Sequence, residues 1–209
     1  MPGILEPAVE KYLSGLLPVR DAVLADMEGY AKQHDIAIIG PGCGRLLSLM
    51  AQISGAKRIF EMGSAIGYSA IWFARAAGPD AKIFCTDGDP ANAELARTNF
   101  ERAGVADRIQ FMTGEAVELI DRVEGKFDII LIDVYKQQYP GALKKSLPRL
   151  KSGGLLITDN VLWSGRVTQL PKDDQTRAIL EFNQSIYSSP ELFSVIVPLR
   201  DGVAICRKT

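Results

Sequence analysis

Two apolar runs in this sequence end on residues that can hold a metal. "FDIILIDVYKQQY" ends its run on Asp133, with Lys136 three residues on, and "LLITDNVLWSG" ends its run on Asp159 and Asn160. Two carboxylates and an amide oxygen are hard ligands. Completed by water and a substrate oxygen, they suit octahedral Mg²⁺ or another hard divalent cation. Zinc would ask for sulfur or imidazole. Each group alone has a plainer reading. Asp133 and Lys136 can be a solvated charge pair at a strand end, and Asp159-Asn160 can be turn residues. Their chemistry requires that the two strand ends be neighbours.

A second set of residues suits a nucleoside. In "FEMGSAIGYSA", Gly63 and Gly67 bracket a turn from strand to helix. Glycine there lets the backbone bend sharply and approach a ligand. A dinucleotide fingerprint G-x-G-x-x-G needs glycine at position 65, where this chain has Ala65. That argues against NAD and leaves room for a ligand without phosphates. Asp87 ends the next apolar run, where a carboxylate can accept from both hydroxyls of a ribose. Asp89 before Pro90 reads as a helix cap. Gly114 to Ala116 follow the third run. They fit the edge of an adenine or, equally, a helix start with Glu115 opposing the dipole.

The elements that must position these residues follow from periodicity. Helical spacing runs through "VEKYLSGLL", "AVLADMEGYAKQ" and "GRLLSLMAQI", with Pro18 and Pro41 where helices are expected to start. From Lys57 strands and helices alternate. The strands are "KRIFEMG", "AKIFCTD", "RIQFMTG", "FDIILID" and "GGLLITDN", and a final pair, "LFSVIVPL" and "GVAICRK", forms a hairpin across Arg200-Asp201-Gly202. Strands alternating with helices predict an α/β fold, a mostly parallel sheet covered on both faces, with an antiparallel last strand. The chain reads as one domain over 1–209, a helical segment over 1–56 preceding a core over 57–209. Trp163 to Gln175 is the longest apparent loop and a candidate lid.

Composition narrows the classes. The chain has 209 residues, 47% hydrophobic and 23% charged, with a formal net charge of −1. No global basic field favours nucleic acid, although Lys144, Lys145, Arg149 and Lys151 cluster in sequence. The single histidine, His34, excludes a multi-histidine metal site. Cys43, Cys85 and Cys206 have no C-x-x-C spacing and read as half-buried reduced thiols of a cytoplasmic protein. No apolar run spans a bilayer, and "MPGILEPAVEKYL" lacks the pattern of a signal peptide.

Taken together, these motifs resemble the cation-dependent O-methyltransferases that use S-adenosylmethionine, a family that includes catechol and caffeoyl-CoA O-methyltransferases. "FEMGSAIGYSA" is similar to the family's first cofactor motif, "FDIILIDVYKQQY" to its metal and lysine motif, and "ITDNVLWSG" to its second metal motif. The resemblance implies a Rossmann-like class I methyltransferase with a seven-stranded sheet. It implies Glu61, Gly63, Ser64 and Ser69 around the methionine part of the cofactor, Ile39 covering it, Asp87 at the ribose, and Glu115 and Ala116 at the adenine. Asp133, Asp159 and Asn160 become metal ligands, Asp133 also touching the cofactor side, and Lys136 the general base. Like charges on the cation and the sulfonium would disfavour protonated Lys136.

The implied acceptor is a small catechol-like phenol. "MEGYAKQHDIAIIGPGCGRLLSLMAQI" also resembles the bacterial branch with tRNA 5-hydroxyuridine O-methyltransferases, so tRNA stands as the alternative. Tyr135 departs from that branch and resembles the pocket aromatic of the catechol enzymes. Trp163 and Arg166 are candidates for the acceptor pocket. The resemblance also implies a homodimer, through the N-terminal helices. An NAD-binding oxidoreductase and a non-catalytic binding module are the competing classes.

Overall fold

The computed structural model describes residues 4–209. Met1 to Gly3, the start of the segment read as lacking a signal peptide, lie outside the described residues.

Three helices come first: α1 (Pro7–Gly15), α2 (Ala22–Gln33) and α3 (Gly40–Ser54). The alternating part follows as β1 (Arg58–Met62), α4 (Tyr68–Ala77), β2 (Lys82–Asp87), α5 (Pro90–Arg102), β3 (Ile109–Thr113), α6 (Ala116–Leu119), β4 (Phe127–Ile132), α7 (Tyr139–Arg149), β5 (Leu150–Thr158), α8 (Asp174–Ser188), β6 (Leu192–Val197) and β7 (Val203–Lys208). Local chemistry sets several starts. Asp21, Asp89 and Asp173 accept backbone N–H bonds at the N-termini of α2, α5 and α8, and Pro7, Pro41 and Pro90 sit in first turns. Pro18 does not start a helix. It lies in the connection before α2, whose start is fixed by the Asp21 carboxylate instead.

The strands form one sheet in the order β3-β2-β1-β4-β5-β7-β6. β7 pairs antiparallel with both β5 and β6; the other pairings are parallel. This is the predicted α/β sheet with its antiparallel last strand. Alternate residues of the central strands feed two cores. Ile59, Ile129, Leu131 and Ile157 face one, while Phe60, Ile130, Ile132 and Leu156 face the other. Burial on both faces explains why β4 reads as an unbroken apolar run from Ile129 to Ile132.

The chain runs from β1 outward to β3, then returns to place β4 on the other side of β1. That reversal opens a crevice beyond the carboxyl ends of β1 and β4. The Gly63 turn and Asp133 both sit there. β5 lies next to β4 in register Ile132↔Thr158, so Asp133 and Asp159 follow paired residues.

Cys43, Cys85 and Cys206 are free and fully buried, deeper than expected, because each lies on an element packed within a core. Among the described residues, no helix is long and apolar enough to cross a membrane.

Candidate active site

The turn after β1 is built for close approach. Gly63 and Gly67 both have left-handed backbone, φ 84° and 85°. A Cβ at Gly63 would collide with the Asp133 carbonyl, and one at Gly67 with the Phe100 ring. Ala65 is also left-handed, at φ 44°, a strained place for a residue with a Cβ. Its N–H donates to Asp87 Oδ2 at 2.9 Å, which offsets part of that strain. The N–H groups of Gly63 and Ser64 donate to the Thr86 carbonyl, which pins the turn to β2.

Glu61 is wholly buried. Ser69 donates to its Oε1, while Oε2 has no hydrogen-bond partner among the described residues. Burial pushes the Glu61 carboxyl up to about 8, against the Ser69 and Ser64 hydroxyls, and the charges of Asp133 and Asp87 add to the rise. A buried carboxylate oxygen without a partner beside a glycine turn fits a polar ligand, because leaving it dry and unpaired is costly. Asp87 Oδ1 accepts from Asp89 N–H and from Asn92 Nδ2, at 2.9 and 3.1 Å, so its carboxylate is fixed in place.

Ile39 is buried just before α3, and it lines a small cavity with Cys43, Leu131 and Asp159. The structure therefore brings Ile39 beside the end of β5. Its position depends on Arg200, whose Nη1 donates to the carbonyls of Ile38 and Ile39. Glu115 occupies the N-cap of α6 without capping it. Its carboxylate accepts from Gln138 Nε2 at 2.8 Å instead. Ala116 is buried in the same turn.

Lys136 stands where the ends of β4 and β5 meet. Its Nζ donates to Asn160 Oδ1 at 2.7 Å, Tyr139 Oη at 2.7 Å, Asp133 Oδ1 at 3.2 Å and Val134 O at 3.4 Å. Tyr139 in turn donates to the Asp159 carbonyl at 2.7 Å. Asp159 is buried, and its Oδ1 accepts from Asn160 N–H at 2.9 Å. Asn160 holds left-handed backbone, φ 58°, which asparagine tolerates better than most residues. Burial, and then the charge of Asp133, raises the Asp159 pKa. A cation between these oxygens would remove both costs, so the donor set fits a hard divalent ion.

The expected lid is anchored. The N–H groups of Leu162 and Ser164 donate to the carbonyl and carboxylate of Asp201, and Asp173 caps α8. Trp163 packs its ring 6.0 Å from Lys136 Nζ, with Arg166 stacked on it at 4.7 Å. Both therefore stand at the mouth of the site. Tyr135, next to Lys136 in the chain, is 81% exposed. His34 stacks on Tyr30 at the end of α2 and takes no part.

Tyr139, Arg200 and Thr86 were not among the sequence candidates. Tyr139 lies in the quoted "VYKQQY", three residues after Lys136, but its second partner is 20 residues away. A separate groove of about 570 Å³, lined by Arg58, Phe84, Met112 and Arg122, holds none of these groups.

The fold is that of a class I methyltransferase. The O-methyltransferase family model matches residues 21–209, and the chain belongs to that family. It is 36% identical over 166 residues to a catechol O-methyltransferase of Niastella koreensis, covering 77% of this chain and 75% of that one. It is 33% identical over 178 residues to caffeoyl-CoA O-methyltransferase 1 of Eucalyptus globulus, covering 79% and 72%. An O-methyltransferase of Bacillus cereus, solved with S-adenosylhomocysteine, superposes with TM-score 0.88 at 28% identity, covering 97% of both chains. One of Streptomyces achromogenes, involved in tomaymycin synthesis and solved with S-adenosylmethionine, gives 0.87 at 26%, covering 97% and 96%. This chain is thus an O-methyltransferase of the catechol and caffeoyl-CoA type.

Proposed function

We propose that the chain transfers a methyl group from S-adenosylmethionine to one hydroxyl of a small catechol-like phenol, with Mg²⁺ or another hard divalent cation. The observation that carries the reading is the meeting of Asp133, Asp159 and Asn160 around Lys136. Relatives solved with S-adenosylmethionine and its product support the donor. Glu61, Gly63, Ser64, Ser69, Asp87, Glu115 and Ala116 would hold it along the ends of β1 to β3, with Ile39 over it. Asp133, Asp159 and Asn160 would hold the cation, which supplies a Lewis acid that favours the ionised form of an acceptor hydroxyl.

Lys136 takes the hydroxyl proton at Nζ. The acceptor oxygen then attacks the methyl carbon in line, and the electron pair of the breaking bond stays on sulfur. Trp163, Arg166 and Tyr135 orient the acceptor ring. Positioning of this kind can contribute ~7–11 kcal/mol.

Three of the four clustered basic residues are already engaged, which disfavours tRNA as the acceptor. Lys145 pairs with Asp121, Lys151 with Asp128, and Arg149 with the carbonyls of Ile120, Val123 and Gly125. A homodimer is supported by α1. None of its residues is buried, and Tyr12, Leu16 and Val19 in and after it are exposed. Light scattering on the purified chain should give twice the monomer mass.

The deciding assay offers labelled S-adenosylmethionine and Mg²⁺ with 3,4-dihydroxybenzoate and with tRNA rich in 5-hydroxyuridine, each with and without EDTA. EDTA-sensitive label in the phenol is expected. Label in the tRNA alone would overturn the acceptor, and full activity in EDTA or in Asp159→Ala would overturn the metal.

A further inference from the structure

The contacts of Lys136 do not fit a lysine that simply faces an acceptor. Its Nζ lies 2.7 Å from Asn160 Oδ1 and 3.2 Å from Asp133 Oδ1. These oxygens belong to two of the three side chains assigned above to the cation. An ammonium held on these oxygens puts a positive charge where the cation would sit. The lysine also has a second anchor. Tyr139 is fully buried and gives its own proton to the Asp159 carbonyl, so toward Nζ its oxygen acts as acceptor. That oxygen is 2.7 Å from Nζ, and the tyrosine ring lies under it with its centroid at 4.8 Å.

We propose that the Lys136 ammonium competes with the divalent cation for Asn160 Oδ1 and Asp133 Oδ1, and that cation binding transfers the lysine onto its second anchor, Tyr139. The inference rests on the metal reading above. It makes cation binding and release of Lys136 from these two oxygens one event. Lys136 gives up its carboxylate partner only when an ion of higher charge takes it. Tyr139 is then a positioning residue, which keeps the released side chain at the site instead of letting it swing to solvent.

The test is Mn²⁺ binding followed by the electron paramagnetic resonance of the free ion, without donor or acceptor. Lys136→Met and Lys136→Gln remove the competitor and should tighten binding roughly tenfold or more, the worth of a charge-assisted hydrogen bond. Lys136→Arg keeps the charge and should not. Circular dichroism confirms that each variant folds. In the wild-type chain the Lys136 side-chain ¹⁵N resonance, assigned by its loss in Lys136→Gln, should shift as Mg²⁺ saturates the site. Unchanged or weaker Mn²⁺ affinity in both neutral variants overturns the proposal. Tighter binding with an unmoved resonance also overturns it, because it leaves repulsion at a distance without a shared ligand. Wild-type and Asp159→Ala chains that both fail to bind Mn²⁺ would overturn the metal reading itself.

Discussion

The α-carbon of Gly63 rests against the backbone carbonyl of Asp133, so the turn after β1 and the end of β4 touch directly. The Asp133 N–H also donates to the Met62 carbonyl at 2.8 Å, which locks the two strand ends together. Neither turn can move without the other. Gly63→Ala should therefore cost both a clash and a left-handed backbone, roughly 2–5 kcal/mol together. Urea unfolding would measure the loss, and calorimetry should show weakened S-adenosylmethionine binding. A variant as stable as wild type would contradict the packing.

Tyr139→Phe removes the hydroxyl that joins Lys136 to the Asp159 carbonyl. It leaves a buried carbonyl unpaired at a cost of about 1–3 kcal/mol. Stability should fall by that amount, and kcat should fall about tenfold or more while the KM for S-adenosylmethionine stays near wild type. A change confined to KM would place Tyr139 outside the chemistry.

Glu61 makes stability depend on pH. Its folded pKa, about 8, lies above the value of an exposed glutamate. The folded state therefore holds the proton more tightly, so stability is full at acid pH and is lost as pH rises from about 4.5 through 8. Glu61→Gln cannot ionise. The variant should gain on wild type over that window, by roughly 5 kcal/mol at most. Parallel unfolding curves at pH 5 and pH 8 would show it; an equal difference at both would refute it.

Asp159→Asn removes a buried negative charge that faces Asp133. In EDTA the variant should melt a few degrees higher than wild type, about 1 kcal/mol of relief. Added Mg²⁺ should raise the wild-type melting temperature and leave the variant's nearly unchanged. The opposite ordering in EDTA would mean that the carboxylate is compensated within the protein.

Arg200→Met removes the donor to the Ile38 and Ile39 carbonyls. The segment proposed to cover S-adenosylmethionine loosens, so the KM for it should rise several-fold with kcat changed less than twofold. Steady-state kinetics decide it.

Much of this molecule is legible in its sequence because the signals are local. Period-two and helical spacing, together with Pro41, Asp89 and Pro90, place most elements. The carboxylates at the ends of apolar runs mark the strand ends that matter. Pro18 misleads because a proline is compatible with a helix start but does not impose one; the Asp21 side chain does. Glu115 sits at the start of a helix as read, yet its carboxylate is claimed by Gln138, 23 residues away.

By itself, the sequence determined the α/β alternation, the carboxylate and amide side chains at the ends of its apolar runs, and the glycine turn, since each depends on neighbours along the chain. The tertiary structure decided how those pieces meet. Strand order placed β1 beside β4 and β4 beside β5, and only that order brings Gly63, Asp133 and Asp159 to one crevice. It also decided that Lys136 points at the Asn160 and Asp133 oxygens, that Tyr139 holds it there, and that Arg200 reaches back across more than 160 residues to Ile38. These contacts depend on distances through space, which strand pairing and packing set and which spacing along the chain does not encode.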